Sequence, residues 1–123
     1  MIQSAKPKKQ RKFRFNASLH KRQKFLHVHV SKELQAKLGI AKRSLQIRKG
    51  DTVKVMSGKF QGKSGKVSDV NLRTNKIAIE SIIRKNAKGK EKPIPIYASK
   101  VYLTDLDLSD KIRSEKVNSF KKK

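Results

Sequence analysis

The sequence predicts a mainly β fold, a small antiparallel barrel that follows a basic N-terminal extension carrying two short helices. Between residues 47 and 106, apolar residues alternate with polar ones in several short runs, the pattern of half-buried strands. Glycine, asparagine and proline separate these runs, as turns require. Closure into a barrel would leave such short strands without open edges.

The expected strands lie near residues 51–56, 65–71, 76–83, 93–96 and 101–106. Pro93 and Pro95 confine the fourth strand to an edge, because proline lacks the N–H that a central strand donates. The inward-facing apolar side chains form the predicted core, which consists of Val53, Val55, Val67, Val70, Ile77, Ile79, Ile82, Ile96, Val101 and Leu103.

The chain divides into a basic extension over residues 1–46, the barrel over residues 47–106 and a polar tail over residues 107–123. Residues 1–15 contain too few apolar side chains to fold alone, so we expect this arm to become ordered only on its partner.

Two helices are expected in the extension, over residues 16–26 and Lys32–Leu38, with His27–Val30 as an extended link between them. Residues suited to capping stand at the expected helix ends and in the tail: Asn16 or Ser18, Ser31, Gly39 and Ser109.

The chain is strongly basic. Lys and Arg number 33 against 9 Asp and Glu, for a formal net charge of +24, and such an excess favours a polyanionic partner. The sequence has no cysteine, which excludes disulfides, thiolate metal ligands and cysteine nucleophiles. No apolar run approaches the ~20 residues of a membrane span, so we interpret the protein as a soluble cytoplasmic polyanion binder without membrane insertion.

Catalytic or metal chemistry is not predicted. The acidic residues are scattered, and we expect ion pairs with neighbouring lysines at Asp51, Asp69 and Glu80. His27 and His29 could face the same way along an extended segment, but they have no cysteine or nearby carboxylate to complete a metal site. We therefore expect no enzyme, no cofactor, no metal and no small-molecule substrate.

The glycine-rich segment 48–67 is the first candidate site for a polyanion. Lys59 and Lys63 would meet phosphates, glycines would let an RNA backbone approach, and Phe60 would either stack on a base or cap the barrel. The candidate RNA-binding residues here are Lys54, Ser57, Gly58, Lys59, Phe60, Gly62, Lys63 and Lys66. The residues expected to build the motif itself are Gly50, Asp51, Val53, Val55, Gly65 and Val67.

The arm is the second candidate site, because its cations alternate with aromatic rings that could insert against bases or sugars. Its arginines could bind phosphates with two hydrogen bonds each. The candidate RNA-binding residues of the extension are Lys8, Lys9, Arg11, Lys12, Phe13, Arg14, Phe15, His20, Lys21, Arg22, Lys24 and Arg43. His20 could instead cap its own helix. The loop 84–92 could bind RNA, project outward or be a solvated turn.

The segment from Lys49 to Val67 resembles a KOW motif, which occurs in SH3-like barrels of ribosomal proteins and transcription elongation factors. The flanking segments 8–12, 17–22, 31–34 and 43–45 resemble the extension of the archaeal and eukaryotic KOW protein of the large ribosomal subunit. This is the ribosomal protein twenty-four family, called twenty-six in eukaryotes. Tyr97, Ala98 and Lys100 depart from that family's pattern.

The resemblance implies a structural constituent of the large ribosomal subunit that binds large-subunit rRNA in domain I, near the 5′ end, as an assembly initiator. It implies a position on the outside of the subunit beside the polypeptide exit tunnel, among other ribosomal proteins and without a stable homo-oligomer. Two alternatives are a KOW transcription elongation factor and a general polycationic nucleic-acid-binding protein. Residues 1–46 are too short and too basic for the α/β domain that precedes the barrel in such elongation factors.

Overall fold

The computed structural model describes residues 3–121, so the first two residues of the predicted arm and the last two of the tail lie outside the described residues. Strands predominate, which confirms the mainly β class. The strands are β1 (His27–Val30), β2 (Ser44–Gln46), β3 (Thr52–Val55), β4 (Ser64–Asn71), β5 (Lys76–Ile79), β6 (Ile83–Lys85), β7 (Glu91–Pro93), β8 (Ile96–Tyr97) and β9 (Val101–Asp105). The helices are α1 (Pro7–Asn16), α2 (Leu19–Gln23), α3 (Lys32–Leu38) and α4 (Lys111–Asn118), and short 3-10 turns cover Lys24–Leu26 and Ala98–Lys100.

Seven strands form one sheet in the order β2-β1-β9-β3-β4-β5-β8, and β6 and β7 pair separately as a hairpin. The pairing of β1 with β9 is parallel, whereas the other pairs are antiparallel. The sheet is therefore mixed, and within the described residues no pairing of β2 with β8 closes it into the fully antiparallel barrel we expected. The difference arises because the extension contributes β1 and β2 to the sheet.

The hydrophobic core extends beyond the barrel segment. The predicted core residues belong to the buried cluster, except Val70, which is half-buried and packs against it. Residues outside the predicted barrel complete the cluster: Leu26, Val28, Val30, Leu34, Ile40, Leu45 and Val117. The stretch His27–Val30, which we expected to be a link, is a strand because Val28 and Val30 point into this core.

The arm is helical instead of unfolded. Pro7 stands at the start of α1, where its fixed φ suits a helix and its missing N–H costs nothing. The ring of Phe13 packs edge-on against Phe25, with centroids 6.2 Å apart, and this contact joins α1 to the segment before β1. No residue of α1 is buried, so most of its surface stays free to bind a partner.

The expected helix over 16–26 is interrupted, because Ala17 and Ser18 take extended backbone angles and α2 begins only at Leu19. The predicted α3 is confirmed: Oγ of Ser31 accepts a hydrogen bond from the Leu34 N–H, and Gly39 ends the helix with φ 64°. In the tail, Asp110 and not Ser109 caps α4, since its carboxylate accepts from the Ile112 N–H.

Two of the expected strand ranges were also wrong. The strand expected over 76–83 ends at Ile79, and Ile83 begins the separate hairpin. The run expected over 93–96 is divided between the end of β7 and the start of β8. The two proline rings explain the division, because neither residue can donate to a ladder.

Candidate nucleic-acid interface

The loop after β3 presents its lysines on a closed backbone turn. The Gly62 N–H donates to the Val55 carbonyl at 2.9 Å, and the Val55 N–H donates to the Lys63 carbonyl at 2.8 Å. Gly62 has φ 85° and open space around its α-carbon, so the backbone angle explains the glycine. Lys59 and Lys63 are exposed on this loop, as the prediction of phosphate contacts requires.

Phe60 is half-buried and packs against the core, with the Lys63 ammonium 5.7 Å from its ring centroid. This placement favours the interpretation in which Phe60 caps the fold over the one in which it stacks on a base. Of the other candidates in this segment, Lys54 and Lys66 are exposed on β3 and β4, and Ser57 and Gly58 are exposed in the loop.

Gly65 is required by close packing. A β-carbon at this position would lie 2.7 Å from Oγ of Ser81 and 2.9 Å from Cγ2 of Ile79. The valines at 53, 55 and 67 are buried, and the Gly50 N–H donates to the Val67 carbonyl at 2.9 Å. These contacts suit the motif-building role that we expected for this set.

Asp51 is fully buried, and its partner is an arginine from the tail instead of the neighbouring lysine that we expected. The guanidinium of Arg113 donates to both carboxylate oxygens of Asp51, at 2.6 and 2.7 Å. The backbone N–H groups of Arg48 and Asp107 donate to the same carboxylate at 2.7 and 3.0 Å. Sequence reasoning missed Arg113, although it is the single arginine after residue 106.

Asp69 does pair with a lysine, since its carboxylate lies 2.7 Å from the Lys49 ammonium. The hydrogen bond from Lys49 is the main cause that lowers the pKa of Asp69, followed by a bond from the Val70 backbone. The expectation for Asp69 is confirmed.

The arm helices and the β4–β5 turn together form a cationic groove of about 740 Å³. Arg11, Arg14 and Phe15 reach it from α1, and Leu72, Arg73 and Asn75 reach it from the turn. The remaining lining residues are Arg22 and Phe25. We call this surface the arm groove. Sequence reasoning missed Phe25, Leu72, Arg73 and Asn75 as lining residues, because only the fold brings the turn beside the arm.

Arg22 has a structural function within the arm. Its Nε donates to the Ala17 carbonyl at 2.9 Å, and one terminal nitrogen donates to the Phe15 carbonyl. These bonds hold the end of α1, where helical carbonyls lack partners. Arg14 lies over the Phe25 ring, with 5.5 Å between its guanidinium carbon and the ring centroid.

The arm has a second depression of about 560 Å³, where Lys9, Lys12 and Lys21 meet around Phe13. The candidate arm residues are therefore divided between two surfaces, one rich in arginine and one rich in lysine. Lys8, Lys24 and Arg43 are exposed outside both. Nδ1 of His20 lies 3.1 Å from Oγ of Ser18. This contact matches the alternative in which His20 bonds its own helix start.

His27 and His29 are both exposed on β1. Partial burial is the main cause that lowers the pKa of His27, and the charges of Lys42, Lys116 and Lys24 add to it. The His29 ring packs edge-on against Tyr102 at 5.9 Å. Within residues 3–121, no group of three His, Cys, Asp or Glu side chains could hold a metal ion.

The loop 84–92 is an exposed hairpin formed by β6 and β7. The Asn86 N–H donates to the Lys90 carbonyl at 2.9 Å, and the Lys85 ammonium lies 3.6 Å from the Glu91 carboxylate. No helix within the described residues is both long and apolar enough to cross a membrane.

A family model that describes the eukaryotic ribosomal proteins L26 and their archaeal L24 counterparts matches residues 4–119. The chain belongs to this family. It is 47% identical to the large ribosomal subunit protein uL24 of Saccharolobus solfataricus, over 97% of this chain and 98% of that protein. It is 46% identical to the protein of the same name from Korarchaeum cryptofilum, over 91% of this chain and 84% of that protein.

The corresponding protein of Pyrobaculum islandicum is 42% identical over 97% of this chain and 95% of its own length. Membership of this ribosomal protein family confirms the resemblance identified from the KOW motif and its flanks. It also confirms that the chain is a structural protein and not an enzyme.

Proposed function

We propose that the protein is a cytoplasmic structural constituent of the large ribosomal subunit and that it binds large-subunit rRNA through the arm and the glycine loop. Family membership over residues 4–119 supports the first part, as do the names of the relatives. The observation that carries RNA binding is the convergence of Arg11, Arg14 and Arg73 with two phenylalanine rings in the arm groove.

The proposed mechanism is phosphate neutralisation by two basic surfaces, the arm and the loop after β3. Lysine and arginine side chains displace the counterions of the RNA, which gives affinity without reading the sequence. The arm supplies most of this charge, and Lys59 and Lys63 add a smaller contact from the loop. Selectivity then comes from the folded shape of the rRNA.

The finer points are supported by the family resemblance. We propose that the site lies in domain I near the 5′ end of the rRNA, that binding initiates assembly, and that neighbouring ribosomal proteins around the exit tunnel are the protein partners. The division into extension, KOW barrel segment and tail, at residues 46 and 106, is proposed on the same basis.

The test is binding of the purified chain to large-subunit rRNA against bulk RNA in about 0.15–0.2 M salt, where nonspecific phosphate contacts weaken steeply. Retained preference for the rRNA supports the proposal, and its loss contradicts it. Equal affinity for duplex DNA would favour the general polycation. Crosslinking in growing cells should recover domain I, whereas stable co-purification with RNA polymerase would favour the elongation factor.

A further inference from the structure

The arm groove differs from the other basic surfaces in being built from two distant parts of the chain. The arm side contributes Arg11, Arg14 and Phe15, and the β4–β5 turn contributes Arg73 and Asn75. None of its lining residues within the described chain is acidic. The groove has a volume of about 740 Å³ and is open to solvent.

Two phenylalanines give the groove an apolar lining. Phe25 is half-buried and fixed, because Phe13 packs against its ring at 6.2 Å and Arg14 covers it at 5.5 Å. Phe15 is 81% exposed, so its ring can contact a bound molecule. Aromatic rings in the lining suit a flat aromatic ligand. A phosphate would need only the cations and would gain nothing from the rings.

Asn75 adds a specific polar group. It has φ 55°, which asparagine tolerates at the end of the turn, and its backbone carbonyl accepts from the Ala98 N–H at 3.2 Å. Its side-chain Oδ1 is buried, yet it accepts no hydrogen bond from any described residue. Buried acceptors without a donor are uncommon in native proteins. Because Oδ1 is closed off from solvent, a donor in the groove would reach it only after the Asn75 amide rotates toward the groove.

We propose that the arm groove holds one unpaired nucleotide of the bound RNA. The base lies against Phe15, the Asn75 amide turns toward the groove so that Oδ1 accepts a hydrogen bond from a base N–H, and Arg11 and Arg73 contact the adjoining phosphates. A single nucleotide satisfies the rings, the buried acceptor and the cations together, whereas an isolated phosphate satisfies only the cations. This inference rests on the proposed function and specifies the ligand of one of its surfaces.

The experiment compares four full-length variants on large-subunit rRNA probed with reagents that modify the pairing edges of unpaired bases. Phe15→Ala and Asn75→Gly remove the two base contacts, and glycine keeps the backbone angle of residue 75. The matched controls are Leu19→Ala, an apolar side chain 64% exposed on the next helix, and Asn86→Gly, an asparagine in the hairpin turn. Circular dichroism checks that these four variants fold, and it checks Arg73→Ala, which is used below to measure the salt slope.

The wild type should protect one unpaired base, and both test variants should restore its reactivity while both controls keep it protected. Phe15→Ala should weaken binding about 5- to 100-fold without changing the salt slope, because this variant loses a stacked base and keeps every phosphate contact. Arg73→Ala should lower the slope by about 0.7–0.9, the share of one phosphate. An abasic substitution at the protected nucleotide should weaken binding as Phe15→Ala does, and the two effects should not add.

If the wild type binds rRNA selectively but neither test variant changes the reactivity of any base, the groove does not hold a nucleotide and the proposed function stands. If the wild type shows no preference for rRNA over bulk RNA, the proposed function and this inference both fail. Binding of an acidic or phosphorylated peptide in the groove while rRNA stays bound would also overturn the inference.

Discussion

Asp51 and Arg113 form a buried ion pair in which the guanidinium donates to both carboxylate oxygens, at 2.6 and 2.7 Å. Asp51 belongs to the glycine-rich motif, and Arg113 belongs to α4, 62 residues later in the chain. The Arg113 guanidinium also donates to the backbone carbonyls of Asp107 and Gln46. The pair therefore joins the motif, the end of β2 and the tail at one point.

Breaking this pair should destabilise the protein strongly. Arg113→Ala leaves the Asp51 carboxylate buried without its counterion, so we expect a loss of about 3–5 kcal/mol in the free energy of unfolding, measured by urea titration. The double variant Asp51→Leu, Arg113→Leu should recover part of the loss, because no uncompensated charge remains while the Arg48 and Asp107 N–H groups still lose their acceptor. Equal losses in the single and double variants would contradict this account. Arg48→Ala, which removes an exposed ion pair with Asp110, is the control and should have a much smaller effect.

Gly65→Ala should destabilise the sheet without altering the RNA-binding surface. The added methyl group would meet Oγ of Ser81 at 2.7 Å and Cγ2 of Ile79 at 2.9 Å, and overpacking of this kind costs about 1–3 kcal/mol. Thermal unfolding measures the loss, and the affinity of the folded fraction for rRNA should stay unchanged. Gly62→Ala is the comparison, because residue 62 has open space and the expected loss there is the strain of its backbone angle. A Gly65→Ala protein as stable as the wild type would show that the close packing is not rigid.

Stability should fall as the pH is lowered through the ordinary pKa of histidine. The pKa of His27 is lowered from 6.5 in the folded chain, chiefly by partial burial and then by Lys42, Lys116 and Lys24. The unfolded chain therefore binds a proton at His27 more readily than the folded chain does. The stability that the neutral His27 ring contributes is present above pH 6.5 and declines as the pH falls below it. Urea unfolding at pH 7.5 and about pH 5.5 measures this difference.

His27→Gln should reduce that pH difference. The lowered pKa of Asp69 acts in a separate window, because the stabilisation from its Lys49 bond is lost only as the pH falls below its usual 3.8. If His27→Gln shows the same difference in stability between the two pH values as the wild type, other groups cause that difference.

Deleting residues 1–15 should leave the sheet folded and weaken RNA binding strongly. This deletion removes most of α1, which has no buried residue, so the melting temperature should change little. The salt slope of rRNA binding should fall by about 0.7–0.9 for each phosphate that the deletion leaves unbound. The cations removed are Lys6, Lys8, Lys9, Arg11, Lys12 and Arg14. Replacing Lys59 and Lys63 with alanine is the comparison, and it should reduce the affinity for rRNA less than the deletion does. If the deletion leaves the affinity undiminished, the main RNA-binding site is not in the arm.

The sequence predicted those parts of the fold that depend on local patterns. Ser31 and Gly39 bound α3 as expected, and the alternation of Val53 with Val55 and the glycines around it located β3 and its loop. The core was underestimated because Val28 and Leu45 lie in a segment dominated by cations, where a short apolar alternation gave a weak signal. Val28 and Leu45 pair with each other, and the strand that contains Val28 pairs in turn with β9, which no local window contains.

The candidate site was predicted by charge and aromatic content but not by geometry. Arg14 and Phe15 were identified as RNA-binding candidates, yet the turn residues Arg73 and Asn75 that face them were not. Arg22 has the same charge as Lys21 and Lys24, yet its guanidinium bonds hold the end of α1. Only the folded structure separates a cation that binds backbone carbonyls from one that is free to meet phosphate.

The parallel pairing of β1 with β9 sets an order of events during synthesis. Val30 pairs with Leu103, and the Ala41 N–H donates to the Phe120 carbonyl at 2.9 Å, so these early residues gain their partners only after residues 103 and 120 have been made. The arm therefore emerges from the translating ribosome well before the sheet can form. Its cations are exposed to RNA throughout that interval, and the fold is completed only after Phe120 has been made.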